Sequence, residues 1–220
     1  MNWLCRLWLK YFWKARPITF NIRLLVVADT HNRLYFLNPK LPSSDDYDLC
    51  VFLGDISQSD IRIILKSVPK EKIIGVLGNH DDIDNLSMFG ITDLNAVTEP
   101  FVFNGASFAG LQGCIKYKEN QPCYTAEESM RIADRILHRA DIFVTHSTPY
   151  NFMENRGKIH SGNPAINHYL FKHRCPVNLC GHNHSFKQGK LINGSNILEC
   201  YMFSIVSISE GSITIEHLQI

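Results

Sequence analysis

Short apolar segments alternate with more polar segments along most of this sequence. Five of them are rich in Val, Ile, Leu or Phe, and such runs are typical of strands buried on both faces of a sheet. These predicted strands lie at residues 22–29, 49–55, 72–80, 141–146 and 176–182. Helices are predicted between them, at about residues 58–68, 125–139 and 163–173.

Local sequence signals support several of these elements. Thr125 and Glu128 match a capping box at the start of the second predicted helix. Two further segments alternate in the way antiparallel hairpins do, each around a tight turn. They are residues 101–111, around Asn104-Gly105, and residues 203–218, around Glu210-Gly211. The pattern as a whole predicts a mixed α/β sandwich whose two sheets pack face to face between helices.

Composition narrows the class of protein. The 220 residues, 45% hydrophobic and 20% charged, suit one globular domain, which we assign to residues 17–220. A net charge of +1 lacks the basic surplus typical of nucleic-acid-binding proteins, so no nucleic-acid partner is expected. Seven scattered cysteines without a C-x-x-C pair predict neither a disulfide framework nor a cysteine-ligated zinc site. We therefore expect a cytoplasmic protein.

Residues 1–16 form an amphipathic segment ahead of this domain. The segment is too short and too charged to span a bilayer, and it lacks the features of a secretory signal. We expect a helix whose apolar side is covered by its own domain or by a second copy of the chain in a homo-oligomer. Weak contact with a membrane surface is the alternative. The apolar residues at helical spacing are Trp3, Leu4, Leu7, Trp8, Tyr11 and Phe12.

Every predicted buried strand ends in a polar cluster with metal-ligating side chains. The clusters are Asp29-Thr30-His31, Gly54-Asp55, Gly78-Asn79-His80-Asp81, Thr145-His146 and Gly181-His182-Asn183-His184. Taken singly, each cluster is also explained as a turn or a helix cap. Because binding sites in α/β sheets lie outside the carboxyl ends of the strands, five such clusters in succession favour one shared site.

The residue types in these clusters indicate the kind of metal. Asp, Asn and His ligands without a thiolate suit Mn²⁺, Fe²⁺, Zn²⁺, Co²⁺ or Ni²⁺ better than an all-oxygen Ca²⁺ site. There are more ligands than one tetrahedral ion needs, and a carboxylate is able to bridge two ions. The sequence therefore predicts a pair of metal ions, an arrangement used for phosphoryl chemistry.

With these motifs in this order, the sequence resembles the calcineurin-like metallophosphoesterase superfamily from residue 22 to about residue 217. The motifs are DTH (29–31), GD (54–55), GNHD (78–81), TH (145–146) and GHNH (181–184). The resemblance implies a four-layer α/β/β/α sandwich of two mixed sheets, with the metal site at the strand carboxyl ends. It also implies two ions bridged by Asp55, for which we favour manganese. One ion would take Asp29, His31 and His184, and the other would take Asn79, His146 and His182.

The resemblance further implies a reaction. A metal-bound hydroxide would attack a phosphorus in line, without a covalent enzyme intermediate. His80 would donate a proton to the leaving oxygen, and Asp81 would orient its ring. Arg33 is a candidate for a substrate phosphate contact, with an exposed, solvated arginine as the alternative. His160 is a further candidate, because related proteins often have another histidine near the phosphate at this point in the chain.

Departures from known branches of the superfamily narrow the substrate. Residues 56–58, after the GD motif, lack the Asp-Arg-Gly run of Ser/Thr protein phosphatases, and the Tyr of purple acid phosphatases is also missing. The short chain without a cap domain resembles small bacterial-type phosphodiesterases. We expect a small phosphoester substrate, with monoesters and diesters both open. The alternative is a non-catalytic protein-binding scaffold on the same fold, but such scaffolds lose metal ligands or the histidine that corresponds to His80.

Overall fold

A computed structural model describes residues 13–95, 97–117, 122–152 and 161–218, so most of the predicted N-terminal helix lies outside the described residues. The strands are β1 (Ile22–Ala28), β2 (Leu49–Phe52), β3 (Ile73–Gly75), β4 (Thr92–Asp93), β5 (Phe101–Phe103), β6 (Ala106–Leu111), β7 (Cys114–Ile115), β8 (Cys123–Tyr124), β9 (Ile142–Thr145), β10 (Val177–Cys180), β11 (Lys187–Lys190), β12 (Asn196–Glu199), β13 (Met202–Ser209) and β14 (Ser212–His217). The helices are α1 (Leu34–Leu37), α2 (Gln58–Ile64), α3 (Asn85–Met88), α4 (Ala126–Arg135) and α5 (Pro164–Lys172), with a 3₁₀ turn at Lys70–Lys72.

The strands form two mixed sheets of six strands each. The first sheet has the order β14-β13-β1-β2-β3-β4, and the second has the order β11-β12-β10-β9-β6-β5. In the first sheet β1 to β4 run parallel, and β13 and β14 complete it by antiparallel pairing. In the second sheet β12, β10, β9 and β6 run parallel, with antiparallel β11 and β5 at the edges. Strands β7 and β8 pair separately.

The two sheets pack face to face around a shared core. One cluster of buried side chains combines Val26 and Val51 of the first sheet with Phe108, Val144 and Leu179 of the second. Alternate side chains point to the opposite face of each strand. On that face the first sheet packs against α2, and the second sheet packs against α4 and α5. The predicted four-layer α/β/β/α sandwich is therefore confirmed.

Two of the central strands are shorter than predicted. Strand β2 ends at Phe52 and β3 ends at Gly75, although the sequence predicts strands to residues 55 and 80. Strand β2 ends early because Gly54 and Asp55 have φ values of 92° and 56°, which no strand ladder accommodates. The chain therefore leaves the sheet early and forms the loops that carry the predicted ligands.

Both predicted hairpins and the capping box are present. Asn104 and Gly105 have φ values of 46° and 76°, the positive values that a tight two-residue hairpin turn requires. The Thr125 side chain accepts a hydrogen bond from the backbone N–H of Glu128, whose carboxylate accepts one from the N–H of Thr125. The β11–β12 hairpin was missed, because β11 is short, charged and mostly exposed and has no apolar alternation.

The described end of the N-terminal segment lies against the domain. The backbone N–H groups of Ala15 and Arg16 donate to the carbonyl oxygens of Asn193 and Arg174, over 2.8 and 2.9 Å. The Arg16 guanidinium also lies 3.2 Å from the Asp141 carboxylate. These contacts lie near the amino ends of β10 and β12, away from the strand ends that carry the predicted ligands. Within the described part of the chain, no helix combines the length and apolar character needed to cross a membrane.

Candidate metal centre

The seven predicted metal ligands follow the carboxyl ends of five parallel strands, β1, β2 and β3 in the first sheet and β9 and β10 in the second. Five of the seven have a left-handed backbone, a conformation that residues other than glycine rarely adopt. They are Asp29 (φ 55°), His31 (47°), Asp55 (56°), His182 (74°) and His184 (53°). Strained residues of this kind cluster at functional sites, where the surrounding structure holds them in place.

Two glycines allow the loops after β2 and β3 to touch. A Cβ atom on Gly78 would collide with the Asp55 side chain, and one on Gly54 would collide with the backbone of Gly78. Glycine is therefore required at both positions for the GD and GNHD motifs to meet. This contact brings Asp55 beside the loop that carries Asn79 and His80.

Asp29, His31 and His184 form the first group of ligand atoms. Nε2 of His184 lies 2.9 Å from Nε2 of His31 and 3.7 Å from Oδ1 of Asp29. Asp29 is fully buried, and its Oδ2 accepts a hydrogen bond from the backbone N–H of His182 over 3.0 Å. Its Oδ1 is buried without a hydrogen-bond donor among the described residues. Such an oxygen is costly to bury, and a cation would satisfy it.

His146, Asn79 and His182 form the second group. Nε2 of His146 lies 2.8 Å from Oδ1 of Asn79 and 3.1 Å from Nδ1 of His182. On the other side of the ring, Nδ1 of His146 lies 2.8 Å from the carbonyl oxygen of Leu53 and donates its hydrogen there. Burial lowers the pKa of His146, so the ring is neutral and Nε2 keeps its lone pair. Lone pairs of nitrogen and oxygen thus converge where a cation would bind.

Asp55 lies between the two groups. Its Oδ2 is 3.7 Å from Nε2 of His31 and 3.6 Å from Nε2 of His146. Its Oδ1 accepts a hydrogen bond from the backbone N–H of His80 over 2.7 Å, which fixes the carboxylate. One ligand atom each from Asp29, Asp55 and His146 lie within 4.8 Å of one another. The carboxylate of Asp55 is therefore in position to contact ions in both groups.

The electrostatics of the site favour bound cations. Burial raises the pKa of Asp29 well above its ordinary value, and the charge of Asp55 raises it further. Burial also lowers the pKa of His31 to about 4, so this ring is neutral near pH 7. Divalent cations bind neutral imidazoles and compensate buried carboxylates. The residues of this site therefore fit divalent metal ions.

His80 lies at the exposed side of the site, and Asp81 lies beneath the ligand loops. His80 is exposed, with its ring centroid 5.3 Å from that of His31. Asp81 is buried, and its oxygens accept hydrogen bonds from the backbone N–H groups of Gly78, Asp55 and Ile56 over 2.7 to 2.9 Å. These contacts of Asp81 are all with backbone N–H groups and fix the backbone around Asp55. The expectation that Asp81 also orients the His80 ring stays a prediction.

Arg33 supports the first motif from within the protein. Its guanidinium donates to the carbonyl oxygens of Thr30 and Asp29, over 3.0 and 2.7 Å, and its Nη2 lies 3.4 Å from Sδ of Met202. The side chain is half-buried, so the solvated alternative does not hold, and these bonds stabilise the loop that carries Asp29. His160, the other candidate substrate residue, lies outside the described residues.

Two tyrosines that contact the ligands were not predicted, because nothing in their local sequence marks them. The hydroxyl of Tyr117 accepts a hydrogen bond from Nδ2 of Asn79 over 2.8 Å. The ring of Tyr201 stacks on His184 with centroids 5.3 Å apart, and the Arg33 guanidinium lies 5.5 Å from the same ring. Both tyrosines are remote in sequence from the residues they contact, so only the fold reveals them.

Comparison with solved structures reveals the same fold in other proteins. TT1561 of Thermus thermophilus aligns with a TM-score of 0.62 at 14% identity, over 89% of this chain and 98% of that chain. Phosphopantetheinyl hydrolase (PptH) of Mycobacterium tuberculosis aligns with a TM-score of 0.53 at 10% identity, over 84% of this chain and 91% of that one. A putative 5′-nucleotidase of Staphylococcus aureus aligns with a TM-score of 0.51 at 14% identity, over 89% of this chain but only 53% of its own.

Sequence comparison identifies the family. No curated protein sequence matches the chain significantly. The family model described as calcineurin-like phosphoesterase matches residues 22–186, which include all five ligand motifs. Since this match covers well over half of the chain, the protein belongs to the calcineurin-like phosphoesterase family.

Proposed function

We propose that this protein hydrolyses a small phosphoester at a pair of divalent transition-metal ions bridged by Asp55. Membership of the family supports a metal-dependent phosphoesterase in general. The observation that carries the finer proposal is the position of Asp55 Oδ2, 3.7 Å from His31 Nε2 and 3.6 Å from His146 Nε2. A single carboxylate between two separate sets of ligand atoms is what a bridged pair of ions requires.

The two sets of ligands correspond to the two ions. Asp29, His31 and His184 would hold one, and Asn79, His146 and His182 would hold the other. When bound, the ions would supply water activation near neutral pH and charge neutralisation on the phosphoryl oxygens. Nitrogen and oxygen ligands without thiolate are compatible with several first-row metals, of which we propose manganese.

The remaining site residues act on the substrate and on the loops. His80 would give a proton to the leaving oxygen of the ester, and its exposed position beside His31 supports this role. Asp81 keeps the backbone of Asp55 in register through its amide contacts. Arg33 keeps the Asp29 loop in its left-handed conformation through the carbonyl contacts of that loop.

The size of the substrate, the location of the protein and the role of residues 1–16 are also proposals. A net charge of +1 over the chain supports a small substrate rather than a nucleic-acid polymer. We propose a cytoplasmic enzyme whose residues 1–16 cover their apolar side on the domain or on a second copy of the chain. The backbone contacts of Ala15 and Arg16 with the domain support the first of these arrangements.

Activity of metal-free protein tests the proposal. Protein treated with a chelator is assayed with Mn²⁺, Zn²⁺, Ni²⁺ or Mg²⁺ added back, on bis-p-nitrophenyl phosphate and on p-nitrophenyl phosphate. We expect no hydrolysis without metal and strong hydrolysis of at least one ester with Mn²⁺. Absence of metal-dependent hydrolysis on both esters, with protein that remains folded, would refute the proposal and favour a non-catalytic scaffold.

A further inference from the structure

Asn79 has a side-chain amide whose two ends have opposite chemistry. Only its Oδ1 carries lone pairs for a metal ion, because Nδ2 is a donor. A rotation of 180° about the terminal bond exchanges the two atoms with little change in shape. Asn79 therefore serves as a ligand only if some neighbour fixes the amide with Oδ1 facing His146 Nε2, which lies 2.8 Å away.

Tyr117 contacts the other end of this amide, and Oδ1 faces His146 when the Tyr117 hydroxyl oxygen acts as acceptor rather than donor. Its hydroxyl oxygen accepts a hydrogen bond from Nδ2 of Asn79 over 2.8 Å, on the side away from His146. The amide end of this bond is buried, since Asn79 is 1% exposed, whereas its hydroxyl end belongs to a partly exposed side chain. Tyr117 itself is 41% exposed, so its hydroxyl is not needed to fill the core.

The segment that carries Tyr117 is held close to the site by other contacts. Strand β7 precedes it, and the N–H of Gly113 just before this strand donates to the carbonyl oxygen of Leu77 over 2.8 Å. The hydroxyl of Ser147, next to the ligand His146, donates to the carbonyl oxygen of Gly113 over 3.2 Å. After the strand, the N–H of Lys116 donates to the carbonyl oxygen of Tyr124 in β8 over 2.8 Å. These bonds fix the backbone on which Tyr117 stands.

We infer that Tyr117 is a positioning residue that orients Asn79 for metal binding and so sets the affinity of one of the two ions. This inference rests on the proposed function, because it requires Asn79 to be a ligand. Partners that orient a ligand from behind typically change metal affinity by about 10- to 100-fold when they are removed. We expect the effect at the ion held by Asn79, since the described hydrogen bond of Tyr117 is made with that ligand.

Tyr117→Phe removes the hydroxyl and keeps the ring. Mn²⁺ is titrated into metal-free protein by calorimetry, and the melting temperature of the metal-free variant checks its fold. We expect one of two binding steps to weaken by about 10- to 100-fold and the other to stay within a factor of about three. Tyr124→Phe is the matched control, because the hydroxyl of Tyr124 bonds to Gln112 rather than to a ligand. This control should leave both steps unchanged.

The same Tyr117→Phe change in a protein without the Asn79 amide separates loss of amide orientation from general damage to the site. In Asn79→Ala protein no amide remains to be oriented, and no side chain is left to accept a hydrogen bond from the Tyr117 hydroxyl. Tyr117→Phe should then cost less than about threefold in affinity, which a double-mutant cycle measures as coupling. Equal losses in both backgrounds, or unchanged affinities in Tyr117→Phe alone, would overturn the inference. A wild-type protein that binds no pair of ions would instead overturn the proposed function, and the inference with it.

Discussion

Replacing Asp29 with Asn should stabilise the metal-free protein while abolishing its response to metal. Asp29 is fully buried, its Oδ1 has no hydrogen-bond donor among the described residues, and Asp55 lies in the same cluster. Asn has the same shape and carries no charge, and its oxygen can still accept the hydrogen bond from His182, now 3.0 Å long. The change therefore removes a buried charge without removing a necessary contact.

The magnitude is bounded by the cost of the charged, unsatisfied oxygen, because Nδ2 of Asn takes the place of Oδ1 and still needs an acceptor. A buried polar atom without a partner costs about 1–3 kcal/mol. For a domain of this size each kcal/mol shifts the melting temperature by roughly 2–4 °C. We therefore expect metal-free Asp29→Asn protein to melt above the metal-free wild type, by at most roughly 12 °C. With excess Mn²⁺ the wild type should melt at the higher temperature, because only the wild type is stabilised by the free energy of metal binding.

Differential scanning calorimetry of both proteins, with chelator and with Mn²⁺, provides the comparison. Asp134→Asn is the control, since Asp134 is a half-exposed carboxylate whose described ion pairs are with Lys172 and His168 rather than with a predicted ligand. This control should respond to Mn²⁺ as the wild type does. The reasoning would be refuted if metal-free Asp29→Asn protein melted below the metal-free wild type. It would also be refuted if Mn²⁺ raised the melting temperature of Asp29→Asn protein as much as that of the wild type.

Three further predictions concern the bridge, the proton donor and the N-terminal segment. Asp55→Asn should lower the affinity for both ions, because a neutral amide leaves two cations repelling at short range; retention of two ions by elemental analysis would contradict this. His80→Gln should keep the metal but slow hydrolysis by roughly two to four powers of ten, with a smaller loss for p-nitrophenyl esters than for alkyl esters. Equal losses on the two esters would indicate a substrate-positioning role. Removal of residues 1–16 should lower solubility or change the oligomeric state and leave metal binding intact, whereas liposome pelleting that is lost on truncation would indicate a membrane anchor.

The fold could be predicted largely from the sequence because its strands are local and strongly apolar. Runs such as residues 22–29 leave no alternative to a buried strand, and the polar residues at their ends converge through sheet geometry alone. The residues at which strands and helices end were less predictable. Gly54 and Asp55 end the second strand early by backbone conformation, and buried Ile136, with an extended backbone, ends helix α4 before the apolar pattern does.

The ligand set could be predicted, but its supporting contacts could not. Each ligand follows a strand, so its position is fixed by the sheet. The contacts of Asp81, Arg33 and Tyr117 depend on how loops fold onto one another, and no local pattern encodes that. Asp81 illustrates the difference, since its hydrogen bonds from the backbone N–H groups of Asp55 and Gly78 could not be predicted from its position beside His80 in sequence.

Anomalous diffraction from crystals of the Mn²⁺-loaded protein tests the central claim most directly. Data collected at the manganese edge locate each ion independently of any assumed mechanism. The account predicts two peaks on opposite sides of the Asp55 carboxylate, one beside His31 and His184 and the other beside Asn79 and His146. A single peak, or two peaks of which neither contacts Asp55, would contradict it.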